Sequence, residues 1–310
     1  MTIKERMGFV AFMLLHPISG GVLLWKFLCM NAGVRKDVVK RRPIIEWMKQ
    51  PHNGFEREIE YEKANPGAVF PYPQIKGKWE SRCGYDKNAR LPYVIHQERR
   101  LYFPWYYRAV DAKQAYEGYC QIEGLLGGGI LAKSPHCYVT SQHTVEKGDI
   151  LIDVGCAEAL FALNFADSAS KIYLFEVDSI WYKPLQFTFE QYKDKTVCIN
   201  KLVSNRSVGN EVRLQDVIES SDTCTYFLKM DIEGWERQVL LACKDFLMSH
   251  RVKISCCVYH RQDDAEVIDK LLKEFGYTTS FSDGYMLPLM NELCPPYFRK
   301  GMIYGRNFDK

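Results

Sequence analysis

The sequence predicts an open α/β sheet of mainly parallel strands, and three observations carry that expectation. An apolar strand at Ile150–Ile152 runs through Asp153 into a small-residue turn at Gly155, and a helical pattern of Leu160, Phe161 and Leu163 comes next. Further apolar segments recur downstream at the spacing of βαβ units. Four of the strands so placed end in a carboxylate or an imidazole: Asp153, Glu176, Asp231 and His260. Open α/β sheets bind ligands in the crevice outside the carboxyl ends of their strands. Polar groups recurring along one such rim mark a binding site rather than a purely structural domain.

At 149–161 a buried strand, tight turn and helix place Asp153 at the strand end, and Gly155 lets the backbone approach a ligand with no Cβ in the way. The turn is not a dinucleotide fingerprint, which needs three glycines; Cys156, Ala157 and Ala159 stand here instead. Lys171–Phe175 is a second strand ending at Glu176, which is placed to accept both hydroxyls of an adenosine ribose. A third strand is expected over Thr196–Val203 and a fourth over Tyr226–Met230, the latter running into Asp231-Ile232-Glu233-Gly234-Trp235-Glu236. A fifth, Lys253–Tyr259, ends at His260. Asp264–Phe275 carries Val267, Ile268, Leu271, Leu272 and Phe275 at helical spacing, with Asp263 or Asp264 as N-cap and Gly276 as the stop. Tyr277–Phe281 and Gly301–Tyr304 read as short strands joined by a loop with Pro288, Pro295 and Pro296.

These residues resemble the FkbM family of S-adenosylmethionine-dependent methyltransferases. The matching pieces are 153–159, Phe175-Glu176, the block Leu228-Lys229-Met230-Asp231-Ile232-Glu233-Gly234-Trp235-Glu236, Tyr259-His260-Arg261, Gly276-Tyr277, and 296–301. The resemblance covers roughly 134–306, and the block at 228–236 is its specific part. It implies a Rossmann-like class I methyltransferase: a seven-stranded, mostly parallel sheet with helices on both faces and an antiparallel last strand. The family often carries Gly where Ala159 stands. The cofactor-binding set implied is Asp153, Gly155, Cys156, Ala157, Glu176, Val177, Ser204 and Asp231, with Asp153 ordering the turn and the methionine end and Glu176 taking the ribose.

Composition sets the frame. Apolar content of 47% and charged content of 25% are those of a globular protein, and 310 residues suit one large domain or two. A net charge of +3 with no aromatic–basic alternation gives no reason for a nucleic-acid partner. Eleven scattered cysteines without a Cys-x-x-Cys pair argue against a disulfide framework or zinc site, so reduced thiols in a cytosolic compartment are expected. The chain reads as three regions: an apolar and basic N-terminal helical segment, 1–45; an accessory aromatic-rich region, 46–133; and the methyltransferase domain, 134–310. In the first, Gly8–Leu15 and Ile18–Trp25 are apolar arms broken by His16-Pro17, with a basic run, read as a solvated face, at Arg35–Arg42. They pack as a bent helix pair, or anchor residues 8–30 at the inner face of the membrane near lipid-linked substrates. In the second, Tyr93, Tyr102, Phe103, Trp105, Tyr106 and Tyr107 pack a subdomain or stack on sugars. Gly127-Gly128-Gly129 forms a turn leading to Ser134-Pro135-His136, where the family often covers the cofactor.

Methyl transfer from a sulfonium is an in-line displacement, so the protein aligns donor carbon and acceptor atom and keeps water out. An alcohol acceptor needs a base or metal to take its proton. His260 and Asp231 are the catalytic candidates. Asp231 has three open roles: holding the methionine amino group, orienting His260, or binding a divalent cation with His260 and Glu233. Glu233 caps the following helix or joins that cation site, and Glu236 faces solvent or pairs with neighbours of Arg237. Lys229, inside an apolar strand, suggests a buried ion pair. The function expected is O-methyl transfer to a hydroxyl, of a sugar in a surface glycan, a lipid-linked intermediate or a small molecule. The alternatives are a catalytically silent methyltransferase-fold partner in a glycan-assembly complex and, disfavoured by the missing glycines, a nicotinamide-dependent sugar enzyme.

Overall fold

Strand residues at 150–154, 171–175 and 225–230 are apolar on both faces, as a sheet covered by helices on each side requires. The computed structural model describes residues 41–51, 54–65, 69–72, 81–123, 134–221, 223–288 and 294–308. The apolar arms and contact segment at 8–30, most of the basic run and the triple glycine at 127–129 lie outside the described residues. The chain divides into two compact units, Met1–Glu56 and Arg57–Lys310. In the first, residues 41–48 are helical, and the rings of Trp47 and Phe55 meet at 6.2 Å. The accessory region from Arg57 onward and the methyltransferase region fall within the second, while residues 46–56 belong to the first. Among the described residues no helix is long and apolar enough to cross a membrane.

The second unit opens with α1 (Glu56–Ala64), an antiparallel meander of β1 (Cys83–Asp86), β2 (Leu91–His96) and β3 (Arg99–Tyr102), and α2 (Ala109–Glu123). The aromatic-rich stretch is therefore a small sheet with a helix laid over it. Core contacts join it to the methyltransferase region: the Phe103 and Trp181 rings lie 6.1 Å apart, and Arg99 Nη1 donates to Leu163 O at 2.8 Å.

The main sheet is built from β4 (Ile150–Val154), β5 (Lys171–Phe175), β6 (Thr196–Ile199), β9 (Thr225–Met230), β10 (Arg251–Cys257), β11 (Thr278–Phe281) and β12 (Met302–Arg306). Their order is β11-β12-β10-β9-β4-β5-β6. β12 alone runs against its neighbours, pairing antiparallel with both β10 and β11. Helices α3 (Leu160–Asn164), α4 (Tyr182–Thr188), α5 (Glu236–Ala242), α6 (Lys244–Ser249) and α7 (Asp264–Glu274) cover the faces. Alternation sorts the strands between two apolar layers: Leu151 and Phe227 pack with α3 and α4, while Ile152 and Leu228 pack with α5, α6 and α7. The chain steps outward from β4 to β5 and β6, then returns to build β9 and β10 on the other side. The order reverses between β4 and β9, and the crevice beyond their carboxyl ends is where such a sheet takes a ligand.

The expected third strand is split. It stops at Ile199, where Asn200 turns its amide onto the carbonyls of Glu176 (2.7 Å) and Val177 (3.1 Å). Leu202–Val203 then forms β7 and pairs with β8 (Glu211–Val212) in a separate two-stranded sheet. The fifth strand ends at Cys257 rather than Tyr259, because Arg299 Nη1 takes the carbonyls of Tyr259 and His260 at 2.8 and 3.1 Å.

Gly155 joins β4 to the α3 turn at φ +73°, and a Cβ there would lie 2.0 Å from the backbone oxygen of Asp231. The glycine is thus demanded by another loop of the protein, not by a ligand. Neither the backbone angle nor the space accepts a methyl group. Gly155→Ala is expected to cost about 3 kcal/mol or more, about 6–12 °C in thermal midpoint; calorimetric melting checks this, and an unchanged midpoint would refute the contact.

Candidate functional site

A cavity of about 640 Å³ lies at the carboxyl ends of β4, β5 and β9. Its walls come from the turn after β4 (Gly155, Cys156, Ala157, Glu158), from Glu176 and Val177 after β5, from Leu202 and Val203 of β7, and from Asp231 to Glu233 after β9. Tyr119 of α2, Tyr138, Lys229 and Trp235 complete it.

Glu176 reaches the cavity with its carboxylate already oriented. Oε2 accepts the Ala157 N–H at 3.0 Å and Oε1 accepts the Asp178 N–H at 2.8 Å. Each carboxylate oxygen has two lone pairs, so one on each is left for a vicinal diol. Cys156 and Ala157 lie in the same turn, which is tight enough to put Ala157 (φ 44°) and Ala159 (φ 58°) in the left-handed region. Val177 is half exposed at the wall. Ser204 stands beyond the lining, where its hydroxyl donates to Arg206 O and accepts from the Arg206 N–H.

Asp153 is fully buried and is not among the lining residues. Strand register sets it beside Lys229 on the neighbouring strand, and Lys229 Nζ sits 2.9 Å from its carboxylate. The same ammonium donates to Gly155 O at 2.7 Å. Burial opposes the charge on Lys229, but Asp153 and Asp231 outweigh it and raise its pKa. Asp153 therefore shapes the turn through Lys229 rather than by touching a ligand with its own oxygens.

Asp231 is the hub of the rim. Tyr138 OH donates to Oδ2 at 2.7 Å, His136 Nε2 is 3.6 Å from the same oxygen, and His260 Nε2 is 3.5 Å from Oδ1. Burial alone would raise its pKa; the neighbouring His136, Lys229 and His260 win and hold the carboxyl well below the usual range. Tyr138 had no local signal in the sequence, and His136 stood out only as part of Ser134-Pro135-His136, where the family often covers the cofactor. They arrive on a segment pinned across β10 and β12, where Ser255 Oγ donates to Tyr138 O (2.6 Å) and Tyr304 OH to Cys137 O (2.5 Å).

The structure corrects two expectations here. Glu236 does not face solvent: it is completely buried, accepts the Ile232 N–H at 3.0 Å, and lies 2.9 Å from His260 Nδ1. His260 is only 3% exposed in its side chain and does not line the cavity, so it is not poised as a base toward substrate. Burial pushes its pKa down, but Glu236, Asp231 and Glu233 reverse this and raise it above the ordinary value. His260 is thus placed between two carboxylates, which favour its protonated form. Glu233, by contrast, is largely exposed, precedes α5 rather than lying in its first turn, and comes within 3.7 Å of His260 Nε2. Glu236 takes its place in the cluster of possible metal ligands: ligand atoms of Asp231, Glu236 and His260 lie within 4.8 Å of one another, as do those of His136, Asp231 and Cys257. A protonated imidazole has no lone pair to give, so a cation at the first cluster would compete with protonation of His260. All ten cysteines among the described residues are free.

The strand order, the single reversed strand and the cavity at the switch point define a class I methyltransferase fold. Residues 169–279 match the methyltransferase FkbM domain. The structure is similar to the methyltransferase FkbM from Methylobacillus flagellatus KT, with 19% identity, 51% of this chain and 43% of that chain covered, and a TM-score of 0.40. The chain thus spans less than half the length of that neighbour. It is also similar to precorrin-6y C5,15-methyltransferase from Geobacter metallireducens GS-15 (9% identity, 55% and 84% covered, TM-score 0.38). A Streptococcus mutans protein solved in complex with SAH is a further neighbour (18% identity, 54% and 92% covered, TM-score 0.34). No curated protein matches the sequence.

The raised His260 pKa links to stability. A group whose folded pKa exceeds its unfolded value stabilises below the unfolded value, about 6.5, and loses that contribution as pH rises through the folded value. Glu236→Gln is expected to cost about 3 kcal/mol or more at pH 6 and less at pH 9. Denaturant unfolding at the two pH values checks it; equal losses would show that no proton is held at this pair.

Proposed function

We propose that the protein is an S-adenosylmethionine-dependent O-methyltransferase acting on a hydroxyl. The observation that carries this reading is Glu176, held by two backbone N–H groups at the wall of a cavity of about 640 Å³ on the sheet's switch point. The residues suit the donor. Glu176 would hold the ribose hydroxyls, and apolar Val177, Leu202 and Val203 offer a slot for a flat base. Ionised Asp231, fixed by Tyr138, would attract the methionine ammonium. When bound, the donor supplies a methyl carbon activated by a positive sulfur.

The chain's own part is to position and to exclude water. Tyr119 and Trp235 at the cavity walls provide aromatic surface for an acceptor, and aromatic faces suit the apolar faces of sugar rings. We therefore take the acceptor to be a hydroxyl of a glycan, a lipid-linked intermediate or a small molecule. A silent interaction protein is motivated by Ala159 and the atypical N-terminal region, yet the turn forms with alanine in the conformation that glycine favours. That feature does not favour silence. We also propose that residues 8–30 make peripheral membrane contact on the cytoplasmic side; complete recovery of intact protein in the soluble fraction, without high salt, would remove this.

Adenosylhomocysteine is expected to raise the thermal midpoint where NAD does not. Glu176→Ala should weaken adenosylhomocysteine binding by about one to two orders of magnitude, the loss of charge-assisted contacts to a diol. Titration calorimetry measures this, and an unchanged affinity would sink the ribose assignment.

A further inference from the structure

The cavity contains a carboxylate to which donor binding gives no task. Glu158 sits on the turn between β4 and α3, is buried to 7% exposure, and lines the cavity with Tyr119, Tyr138, Lys229 and Asp231. A hydroxyl acceptor needs a group to receive its proton as it attacks. The other candidates at the cavity are unsuited. Asp231 is held ionised by its cationic neighbours and is too weak a base. Lys229 is an ammonium committed to Asp153 and Gly155 O. Glu176 is taken by the ribose in the proposed reading, and Glu233 stands in solvent. Burial pushes the Cys156 thiol well up, and His260 lies behind Asp231, outside the lining.

We propose that Glu158 is the general base of the reaction, its carboxylate taking the proton of the acceptor hydroxyl. This rests on the methyltransferase reading and assigns it a catalytic residue. The acceptor oxygen bonds to the methyl carbon as the carbon–sulfur bond breaks; the bonding pair stays on sulfur and cancels its charge, and the hydroxyl proton ends on Glu158. The carboxylic acid then returns the proton to solvent. The poise suits the task. Burial raises the Glu158 pKa to about 7, against the opposing pull of the Leu160 N–H and of Lys229. The charged and titratable groups acting on or near it are Lys229 of β9, Asp153 of β4, its own turn's backbone N–H groups, and Tyr107 of the segment after β3, whose phenol feels the Glu158 charge. Tyr107 and Tyr119 both belong to the accessory subdomain, so Glu158 stands where that subdomain meets the cavity. That is the side from which an acceptor, held by aromatic surface, would approach.

The test uses the full chain and Glu158→Gln, which keeps an oxygen to accept the Leu160 N–H and so keeps the turn. Adenosylhomocysteine binding is measured by calorimetry, methyl transfer with radiolabelled S-adenosylmethionine to a panel of methyl glycosides, and the side-chain carboxyls of the free protein by carbon-13 NMR titration. The expected results are unchanged adenosylhomocysteine affinity, a kcat lower by about 10²–10⁴-fold, and a rate ionisation near pH 7 that is lost in the variant. One carboxyl resonance should titrate near pH 7 and vanish in Glu158→Gln. Full turnover with the wild-type pH profile in the variant overturns the assignment, and so does the absence of that resonance. Loss of adenosylhomocysteine affinity in the variant also overturns it, placing Glu158 at the donor instead. Wild-type protein that binds no adenosylhomocysteine would sink the methyltransferase reading itself, a distinct result.

Discussion

Lys229 ties together two of the segments that line the cavity, the turn after β4 and the end of β9. It is an ammonium in the middle of an apolar sheet, tolerable only because Asp153 lies at the same level on the adjoining strand and Gly155 offers its carbonyl. Removing one member of such a pair leaves an uncompensated buried charge, and the cost of that exceeds what the pair itself contributes. The turn after β4 and the loop after β9 are therefore held in one arrangement. Gly155 packed on the Asp231 backbone adds a steric constraint to the electrostatic one.

From there the polar rim extends as a chain of alternating charge. Glu236 faces His260, His260 faces Asp231, and Asp231 accepts from Tyr138 beneath the Lys229 ammonium, which lies 5.0 Å from the Tyr138 ring centroid. Burial strengthens each of these interactions because little water is present to screen them. The consequence is that the groups which look most reactive in the sequence, Asp231 and His260, are each biased toward their charged forms. They organise the site and are poorly placed to exchange protons during a reaction. Glu158 differs because burial, rather than a strong counter-charge, dominates its ionisation.

The family match begins at residue 169, after the turn that carries Gly155 and Glu158, and takes in Glu176, Asp231, Glu236 and His260. The accessory subdomain falls outside the matched residues, yet it supplies Tyr119 to the cavity and sets Tyr107 near Glu158. In the proposed reading, the matched part supplies Glu176 and Asp231 to the donor, and residues outside it meet the acceptor.

Local pattern was enough to establish the α/β class, the places of β4, β5, β9 and α7, and Glu176 as the carboxylate at the end of the second strand. These are properties of period and strand-end position, and they survive without knowledge of neighbours. The Lys229 ion pair was legible too, since an ammonium in an apolar strand needs a partner. Which side chains face the cavity was settled only by packing in three dimensions. Asp153 and His260 turned into the protein, Ser204 fell beyond the wall, and Glu236 moved from supposed solvent to the core. Tyr138 reached Asp231 across 93 positions. Periodicity reports whether a residue is buried, whereas its partner is set by register between strands distant in the chain and by the loops that cross their ends.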